Sequence, residues 1–338
     1  MAGIMSSGII PAFLVPAGFK VWYMQYLVLL FSLACIVLGA DYLVAGAVSI
    51  ARKYKVSDFV IGAAIVGVGT SMPEMVVSYI GALENNPDVA IGNVVGSNIF
   101  NILGILGLTA MFFPIAVSRE NMRFELPVCI AVSILLTLLV YNFFIGGQPS
   151  IGRIDGIVLL LTFGLFMWYS FRRDKLRIKR DNFCSREDYG PLWKALLKTT
   201  VGLAILVVSC DLFVDSAVSI AKSFGVSDAF ISLTLIACGT SFPELAASLV
   251  AAIKKNTQLA LGNIIGSNIF NISWILGLCS QVTPLQSSGI TMVDYLVMII
   301  AAILPFVFGF KGRLSRADGL IFLVGFISYT LFLLENQG

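Results

Sequence analysis

Histidine is absent from this chain of 338 residues, and charged residues make up only 12% of it. An ordinary soluble domain carries about 25% charged residues. The absence of histidine excludes imidazole metal sites and proton relays that depend on His. The scarcity of charge, together with a hydrophobic content of 58% and a mean hydropathy of +0.94, excludes a soluble enzyme, a disordered chain and a nucleic-acid-binding module.

Six cysteines are scattered along the chain, at positions 35, 129, 184, 210, 238 and 279, and no C-x-x-C motif is present. Most of them lie inside apolar segments. This distribution is typical of small buried apolar side chains and does not indicate a disulfide framework.

Long apolar runs are abundant. A membrane-spanning helix needs about 20 predominantly apolar residues. Ten segments meet this requirement, with ends defined to within a few residues: 23–50, 58–83, 88–113, 124–145, 152–171, 193–220, 228–253, 258–280, 291–310 and 316–335. The sequence therefore predicts an all-α membrane protein with ten transmembrane helices.

One connector, residues 172–190, resembles a soluble segment, and it contains seven Lys and Arg residues. Basic residues favour the cytoplasmic side of a membrane. With this connector in the cytoplasm, all but three of the 22 Lys and Arg lie inside, and the exceptions are Lys20, Arg153 and Lys222. We therefore expect a multi-pass protein of the plasma (cell inner) membrane with both termini extracytoplasmic.

The two groups of five spans are related in sequence. Residues 57–107 align without gaps with residues 227–277, and 24 of the 51 positions are identical. Because each group has an odd number of spans, the second half enters the membrane from the opposite side. Inverted repeats of this kind are typical of secondary transporters, whose substrate sites lie near the midplane between the repeats. The predicted organisation is an N-terminal extracytoplasmic segment 1–22, a first repeat 23–171, a cytoplasmic basic loop 172–192 and a second repeat 193–338.

The first of two blocks shared by the repeats reads G-T-S-x-P-E, at 69–74 and 239–244. Thr70 and Ser71 precede Glu74 by four and three residues, so the three side chains share one helix face. Pro73 has no amide hydrogen and crowds the carbonyl of Gly69, four residues earlier. A carbonyl freed at membrane depth needs another partner, and hydroxyl, carboxylate and carbonyl oxygens are the ligands that hard cations prefer.

The second block reads G-N-x-x-G-S-N-x-x-N, at 92–101 and 262–271. Asn93, Ser97 and Asn101 are spaced by four residues and form one polar stripe. Their neutral oxygens can complete a cation shell without adding charge. Asn98 lies off the stripe and is expected to bond a neighbouring helix. The two glycines of the block form a G-x-x-x-G motif, which allows close helix approach.

Glu74 and Glu244 lie well inside apolar spans. A charged carboxylate at the bilayer centre costs roughly 3 kcal/mol on insertion scales, and such residues are functional by default. Two carboxylates are neutralised by one divalent cation or by two monovalent cations. The pair therefore predicts competition between Ca²⁺-like and Na⁺-like ions at one site.

The two blocks, present twice at the same spacing in inverted halves, resemble the alpha repeats of the sodium/calcium exchanger family within the calcium/cation antiporter superfamily. The resemblance covers essentially the whole chain, and the short central loop is similar to that of the prokaryotic members. It implies an antiporter, not an enzyme, that exchanges Na⁺ for Ca²⁺ by alternating access while the first and sixth spans slide against the rest. The expected partners are the transported ions and the lipid bilayer, with no cofactor, nucleic acid or obligatory protein partner.

By the same resemblance, the ion ligands come from both repeats, and Glu74 and Glu244 serve both Ca²⁺ and Na⁺. The other implied ligands are Thr70, Ser71, Ser97, Asn101, Thr240, Ser241 and Ser267, with the backbone carbonyls of Gly67 and Ala237. Asn271, the counterpart of Asn101, completes the candidate set. Some family members, including the potassium-dependent exchangers, carry Asp at this position, so the amide implies potassium-independent exchange.

A proton-coupled exchanger of Ca²⁺ or another divalent cation is the alternative, because the same two glutamates could bind H⁺ in place of Na⁺. Related Ca²⁺/H⁺ exchangers usually place a G-N-x-x-E motif at the first block, and this chain lacks it. An ion channel is disfavoured because the inverted duplication gives no reason for a continuous pore. An intramembrane hydrolase is disfavoured because the serines of the block lack a suitable base.

Overall fold

The computed structural model describes residues 21–141, 149–180, 191–224, 239–287 and 289–336. Within these ranges the chain forms helices joined by short turns and by four two-residue strands. The elements are α1 (Val21–Tyr54), α2 (Asp58–Thr70), α3 (Met72–Leu83), α4 (Pro87–Phe112), β1 (Ile115–Ala116), α5 (Asn121–Tyr141), β2 (Ser150–Ile151), α6 (Arg153–Arg180), α7 (Leu192–Ser223), α8 (Phe242–Ile253), α9 (Thr257–Val282), β3 (Leu285–Gln286), α10 (Met292–Gly309), β4 (Arg313–Leu314) and α11 (Arg316–Asn336).

Eight of these helices are each long and apolar enough to cross a membrane, and α2 with α3 forms a ninth span that is bent by 49°. These nine correspond to nine of the ten predicted spans. The remaining one, 228–253, is described only from residue 239 onward, where α8 forms its second part. The prediction of an all-α membrane protein is confirmed.

The predicted cytoplasmic loop 172–192 is helical over its first part, because α6 continues to Arg180. Tertiary contacts stabilise this extension. The backbone N–H of Ser57 donates a hydrogen bond to Asp174 at 2.7 Å, and Arg173 pairs with Glu125 at 3.5 Å. The charge of the segment indicated a solvated loop, but two of its charges lie against neighbouring elements and extend the helix.

The helices that carry the second polar block, α4 and α9, lie at the centre of the molecule. α9 is almost wholly buried and α4 largely so, whereas α6, α7 and α11 expose most of their apolar surface. Polar groups at membrane depth need partners within the protein. The polar block therefore places these two helices inside, and the uniformly apolar helices face the lipid.

The two halves are interleaved. β1 pairs antiparallel with β4, and β2 pairs antiparallel with β3, so each small sheet takes one strand from each half. Gly262 and Gly266 of α9 lie against α2, and a Cβ atom at Gly266 would lie 2.5 Å from the Cβ of Ala63. This confirms close helix approach for the second copy of G-x-x-x-G. The repeat places the partners of the first copy near 229–233, outside the described residues.

The buried apolar residues form two clusters. The larger one runs through α4, α5, α6, α9, α10 and α11, and the smaller one lies where α1 and α7 pack together on α2 and α8. α1 and α7 occupy equivalent positions in the two repeats. Their backbones approach closely, since a Cβ atom at Gly39 would lie 2.7 Å from the backbone nitrogen of Leu206. The two helices thus form a pair whose apolar contacts are shared with α2 and α8.

Candidate cation site

The starts of two helices bring the two glutamates of the repeated blocks to the interface between the repeats. The second span breaks at Ser71, and α3 begins immediately after it with Pro73 and Glu74 in its first turn. In the second half α8 begins after Ser241, again with Pro and Glu244 in the first turn. Each carboxylate therefore lies at a helix N-terminus, where the exposed backbone N–H groups favour negative charge. Both glutamates are fully buried.

The serines that directly precede α3 and α8 donate hydrogen bonds across the interface between the repeats. Ser71 Oγ donates to Glu244 Oε1 at 2.7 Å, and Ser241 Oγ donates to Glu74 Oε1 at 2.8 Å. Each carboxylate is therefore held by the opposite repeat. The reciprocal pattern relates the two halves by an approximate two-fold axis that passes between the glutamates, as in a self-complementary interface.

Several oxygens around this axis are buried and have no hydrogen-bond partner within the described part of the chain. They are Glu74 Oε2, Glu244 Oε2, Asn101 Oδ1, Asn271 Oδ1 and Thr240 Oγ1. Leaving such a group unsatisfied costs about 1–3 kcal/mol, and more when the group is charged. Hard cations bind carboxylate, amide and hydroxyl oxygens, so this donor set fits Ca²⁺ or Na⁺ as a bound substrate.

A second set of predicted site residues lies beside this axis. Thr70 Oγ1 donates to the carbonyl of Val66 at 3.0 Å, and Ser267 Oγ donates to the carbonyl of Gly67 at 3.2 Å. Ser97 Oγ accepts a hydrogen bond from Asn271 Nδ2 at 3.2 Å. The structure thus brings the described members of the predicted set together between α2, α3, α4, α8 and α9. The remaining predicted member, Ala237, lies outside the described residues.

Widened helical turns flank the site. π-helical turns occur at Gly62–Gly67, immediately before the break, and at Phe100–Leu106 and Asn271–Leu276, immediately after the polar stripes. Turns of this kind are rare in proteins and often occur at functional sites. Asn101 and Asn271 both lie in such turns, where the backbone departs from α-helical geometry.

Four side chains support the glutamates, and of these only Asn93 was named in the sequence analysis, as part of the polar stripe. Asn93 Nδ2 donates to the carbonyl of Glu74 at 3.1 Å and to Ser78 Oγ at 2.9 Å. In the other half Asn263 Nδ2 donates to the carbonyl of Glu244 at 3.2 Å and to Ser248 Oγ at 2.9 Å. Asn93, the first residue of the predicted polar stripe, therefore supports the backbone of Glu74. Identity between the repeats at these positions was the available signal.

The charge of the site comes from two carboxylates only. Among the described residues no group of three or more His, Cys, Asp or Glu is arranged to hold a metal. The remaining oxygens are neutral. A cation of total charge two therefore balances the site, whether it enters as one divalent ion or as two monovalent ions.

A membrane-embedded helical fold with two interleaved halves and a buried carboxylate pair in the first turns of two helices defines a secondary transporter for cations. The chain belongs to the sodium/calcium exchanger family, since residues 24–172 and 194–335 match the sequence pattern of the family described as "Sodium/calcium exchanger protein". The predicted family is thereby confirmed.

Relatives of known name span nearly the whole chain. It is 38% identical over 317 residues to the putative antiporter CaxA of Alkalimonas amylolytica, with 91% of this chain and 98% of that protein covered. It is 29% identical over 343 residues to the sodium/calcium exchanger MaX1 of Methanosarcina acetivorans, with 91% and 98% covered. A structure of the sodium-calcium exchanger NCX_Mj matches with a TM-score of 0.78 and 32% identity, covering 92% of this chain and 99% of that chain.

Proposed function

We propose that the protein is a Na⁺/Ca²⁺ antiporter in which one Ca²⁺ competes with two Na⁺ for the carboxylate pair. The observation that carries the proposal is the crosswise bonding of Glu74 and Glu244, which leaves one oxygen of each carboxylate buried and unpartnered. Two facing negative charges are stable at this depth only with compensating positive charge. The family to which the chain belongs and the name of its relative MaX1 support Na⁺ and Ca²⁺ as the ions.

The proposed ligands are the predicted set. Glu74 and Glu244 bind both ions, and the neutral oxygens complete the shells. These are the side chains of Thr70, Ser71, Ser97, Asn101, Thr240, Ser241, Ser267 and Asn271 and the carbonyls of Gly67 and Ala237. The unpartnered oxygens of Thr240, Asn101 and Asn271 are the strongest support for this assignment.

Potassium-independent exchange is part of the proposal. Asn101 and Asn271 occupy equivalent positions, and both are amides, so neither adds a third carboxylate to the two glutamates. An additional negative charge would balance an additional monovalent cation. The charge of the site therefore supports exchange of Na⁺ against Ca²⁺ without K⁺.

The proposed topology places the protein in the plasma (cell inner) membrane with the segment 172–192 in the cytoplasm and both termini outside. The distribution of Lys and Arg supports this orientation. Access to the site alternates as the α1–α7 pair moves along the rest of the protein. Within the described ranges no buried residue of the larger apolar cluster belongs to this pair, which supports such a movement, because sliding the pair leaves the larger cluster intact.

Transport in reconstituted vesicles tests the proposal. Proteoliposomes are loaded with Na⁺ and diluted into Na⁺-free buffer that contains radiolabelled Ca²⁺, with and without K⁺. We expect Ca²⁺ uptake that requires internal Na⁺ and is unchanged by K⁺. Absence of any Ca²⁺ flux under an imposed Na⁺ gradient would exclude Na⁺/Ca²⁺ exchange, and a requirement for K⁺ would exclude the potassium-independent form.

A proton-coupled exchanger of Ca²⁺ or another divalent cation is the second candidate. Within the described residues Ser71 and Ser241 each donate to Oε1 of a buried carboxylate, and Oε2 of each has no partner, so a proton on Oε2 is an alternative to a cation. The same vesicles with a pH gradient and no Na⁺ separate the two candidates. Uptake that follows the pH gradient and ignores Na⁺ would retain the site and replace the coupling ion.

A further inference from the structure

Two asparagines that are not in the predicted ligand set join the central helices. Asn98 of α4 and Asn268 of α9 are buried. Asn98 Nδ2 donates to the backbone carbonyl of Asn268 at 3.1 Å, and Asn268 Nδ2 donates to the backbone carbonyl of Asn98 at 3.1 Å. This reciprocal pair lies on the approximate two-fold axis, next to the site.

The backbone carbonyl determines how each of these amides is turned. A carbonyl oxygen only accepts hydrogen bonds, so the side chain that faces it must present its nitrogen. Asn268 therefore presents Nδ2 to the carbonyl of Asn98, and its Oδ1 is left facing Asn101. An amide oxygen also only accepts, so Asn101 must present its own nitrogen, and Asn101 Nδ2 donates to Asn268 Oδ1 at 3.0 Å.

The consequence is that the Oδ1 atom of Asn101 is turned away from Asn268. This oxygen is buried and has no hydrogen-bond partner among the described residues. The other half repeats the chain of contacts, since Asn271 Nδ2 lies 3.3 Å from Asn98 Oδ1 and Asn271 Oδ1 is also unpartnered. An amide side chain ends in an oxygen with partial negative charge and an NH₂ group with partial positive charge. Only the oxygen attracts a cation.

We propose that Asn98 and Asn268 are positioning residues that hold the amide oxygens of Asn271 and Asn101 toward the transported cation. The proposal rests on the proposed function, because it takes these two oxygens as cation ligands. Without Asn268 the amide of Asn101 is free to turn by half a rotation and present its NH₂ group, which repels a cation. The carbonyl of one repeat thereby orients a ligand through a residue of the other repeat.

The two arms differ in strength. Asn271 Nδ2 also lies 3.2 Å from Ser97 Oγ, so its orientation has a second acceptor. The 3.0 Å bond to Asn268 is the one orienting contact that the described residues provide for the nitrogen of Asn101. Removing the side chain of Asn268 should therefore weaken cation binding more than removing that of Asn98.

A double-mutant cycle tests the proposal on the full-length protein in detergent. Na⁺ and Ca²⁺ affinities are measured by binding of radiolabelled Ca²⁺ and its displacement by Na⁺, for wild type, Asn268→Ala, Asn101→Ala and the double variant. A neutral hydrogen bond contributes about 0.5–1.5 kcal/mol, so we expect Asn268→Ala to lower cation affinity by about three- to tenfold. The double variant should match Asn101→Ala, because Asn268 has no amide left to orient.

A purely structural role for Asn268 gives a different result. It would lower affinity by the same factor in both backgrounds, so the two effects would multiply. That outcome would overturn the proposal. Asn268→Ala combined with Asn271→Ala is the matched control, and here the effects should multiply because Asn268 does not orient Asn271. If Asn268→Ala is not monodisperse, the cycle of Asn98→Ala with Asn271→Ala decides the question. Asn98→Ala should lower cation affinity by a smaller factor, and the double variant should again match Asn271→Ala.

Failure of the proposed function has its own signature. If wild type binds no Ca²⁺, or if Na⁺ does not displace it, the site is not the proposed one. If wild type binds both ions and Asn268→Ala changes neither affinity, the ligand site stands and the positioning role is excluded.

Discussion

Glu74 and Glu244 are each bonded by a serine of the opposite half, so the affinity of the site depends on both repeats at once. Of the five unpartnered buried oxygens of the site, three belong to two amides and one hydroxyl that carry no charge. At the scale of single residues, the site therefore separates two roles. In the proposed site the carboxylates supply the charge that a cation needs, and the neutral side chains supply geometry.

Replacing either glutamate by glutamine removes half of the site's charge. Truncating one member of a buried charge cluster typically costs about 2–5 kcal/mol, so Glu74→Gln or Glu244→Gln should lower Ca²⁺ affinity by about 30-fold or more. Radiolabelled Ca²⁺ binding and uptake measure the effect, and gel filtration confirms folding. Glu335→Gln, the same change at the exposed end of α11, is the control. Wild-type exchange by Glu74→Gln or Glu244→Gln would place the site elsewhere.

Removing the hydroxyl of Ser71 or Ser241 should weaken Ca²⁺ binding by similar factors, because the two bonds are 2.7 and 2.8 Å long and equivalent in the repeats. A hydrogen bond to a charged group contributes about 1.5–3 kcal/mol, so we expect about a tenfold loss or more for Ser71→Ala and for Ser241→Ala. Ser133→Ala is the matched control, since its hydroxyl bonds a carbonyl of its own helix. A loss confined to one of the two serines would contradict the two-fold arrangement.

At the scale of secondary structure, two devices create the site. The starts of α3 after Ser71 and of α8 after Ser241 turn helix N-termini toward the interface, and close packing of α9 on α2 brings the polar block of α9 against the break at Ser71. Both depend on residue types that the sequence displays, namely proline in the first turn of α3 and of α8 and glycine at the helix contact.

Gly266→Ala should destabilise the protein, because a Cβ atom at this position would lie 2.5 Å from the Cβ of Ala63 and no flexible side chain can move away. Overpacking of this kind costs about 1–3 kcal/mol. The midpoint of thermal unfolding, followed by gel filtration after heating, should fall by several degrees. Gly164→Ala is the control, because nothing among the described residues lies within 4 Å of its Cβ position. Equal midpoints for the two variants would exclude tight packing of α9 on α2.

At the scale of the whole molecule, the α1–α7 pair meets the rest of the protein differently at its two ends. Within the described residues α1 packs along α8, whereas α7 makes little contact with α3, the equivalent helix. Lys254, at the end of α8, pairs with Asp41 of α1 at 2.6 Å. The repeat places Asp211 and Glu84 at the equivalent positions, and both are acidic. An ion pair thus joins α1 to the end of α8, whereas the equivalent positions in the other half carry two charges of the same sign.

We expect the Asp41–Lys254 pair to stabilise the arrangement in which α1 is packed on α8. An exposed ion pair contributes up to about 1 kcal/mol. Lys254→Gln should therefore lower the population with α1 packed on α8, relative to the population with α1 moved away from α8, by at most about fivefold. Hydrogen exchange of the backbone around residue 41 should become faster. Lys255→Gln, a change of the neighbouring exposed lysine, should leave it unchanged. No change in Lys254→Gln would show that apolar packing alone holds α1.

Glu84→Lys tests the opposite end. It gives the first repeat the charge that Lys254 gives the second, so Asp211 acquires an attractive partner when α7 approaches α3. Backbone hydrogen exchange around residue 211 should slow, by a factor no larger than the fivefold expected at the other end. Exchange that is unchanged or faster would indicate that residues 84 and 211 do not meet during the transport cycle.

Much of this description follows from the sequence alone. Apolar runs and their lengths determine the membrane spans, since a chain that crosses a bilayer must satisfy its backbone hydrogen-bonding groups within the protein, as a helix does. The duplicated blocks determine that Glu74 and Glu244 are equivalent, and that each directly follows a proline. The number of carboxylates determines the charge that the site can balance. These properties depend on residue type and local spacing, which a sequence displays directly.

The partners of these residues were decided by the tertiary structure. Ser71 bonds Glu244 and Asn98 orients Asn271, each across 173 positions of the chain, and Asn93 supports a backbone carbonyl where its spacing predicted a ligand. The charged segment after residue 171 continues α6, because Asp174 accepts a hydrogen bond from the backbone of Ser57 and Arg173 pairs with Glu125. The residue pattern within one repeat does not predict which residues of the other repeat these side chains contact. They arise only when two inverted halves pack together, because the approximate two-fold axis brings each polar group to its counterpart in the other half.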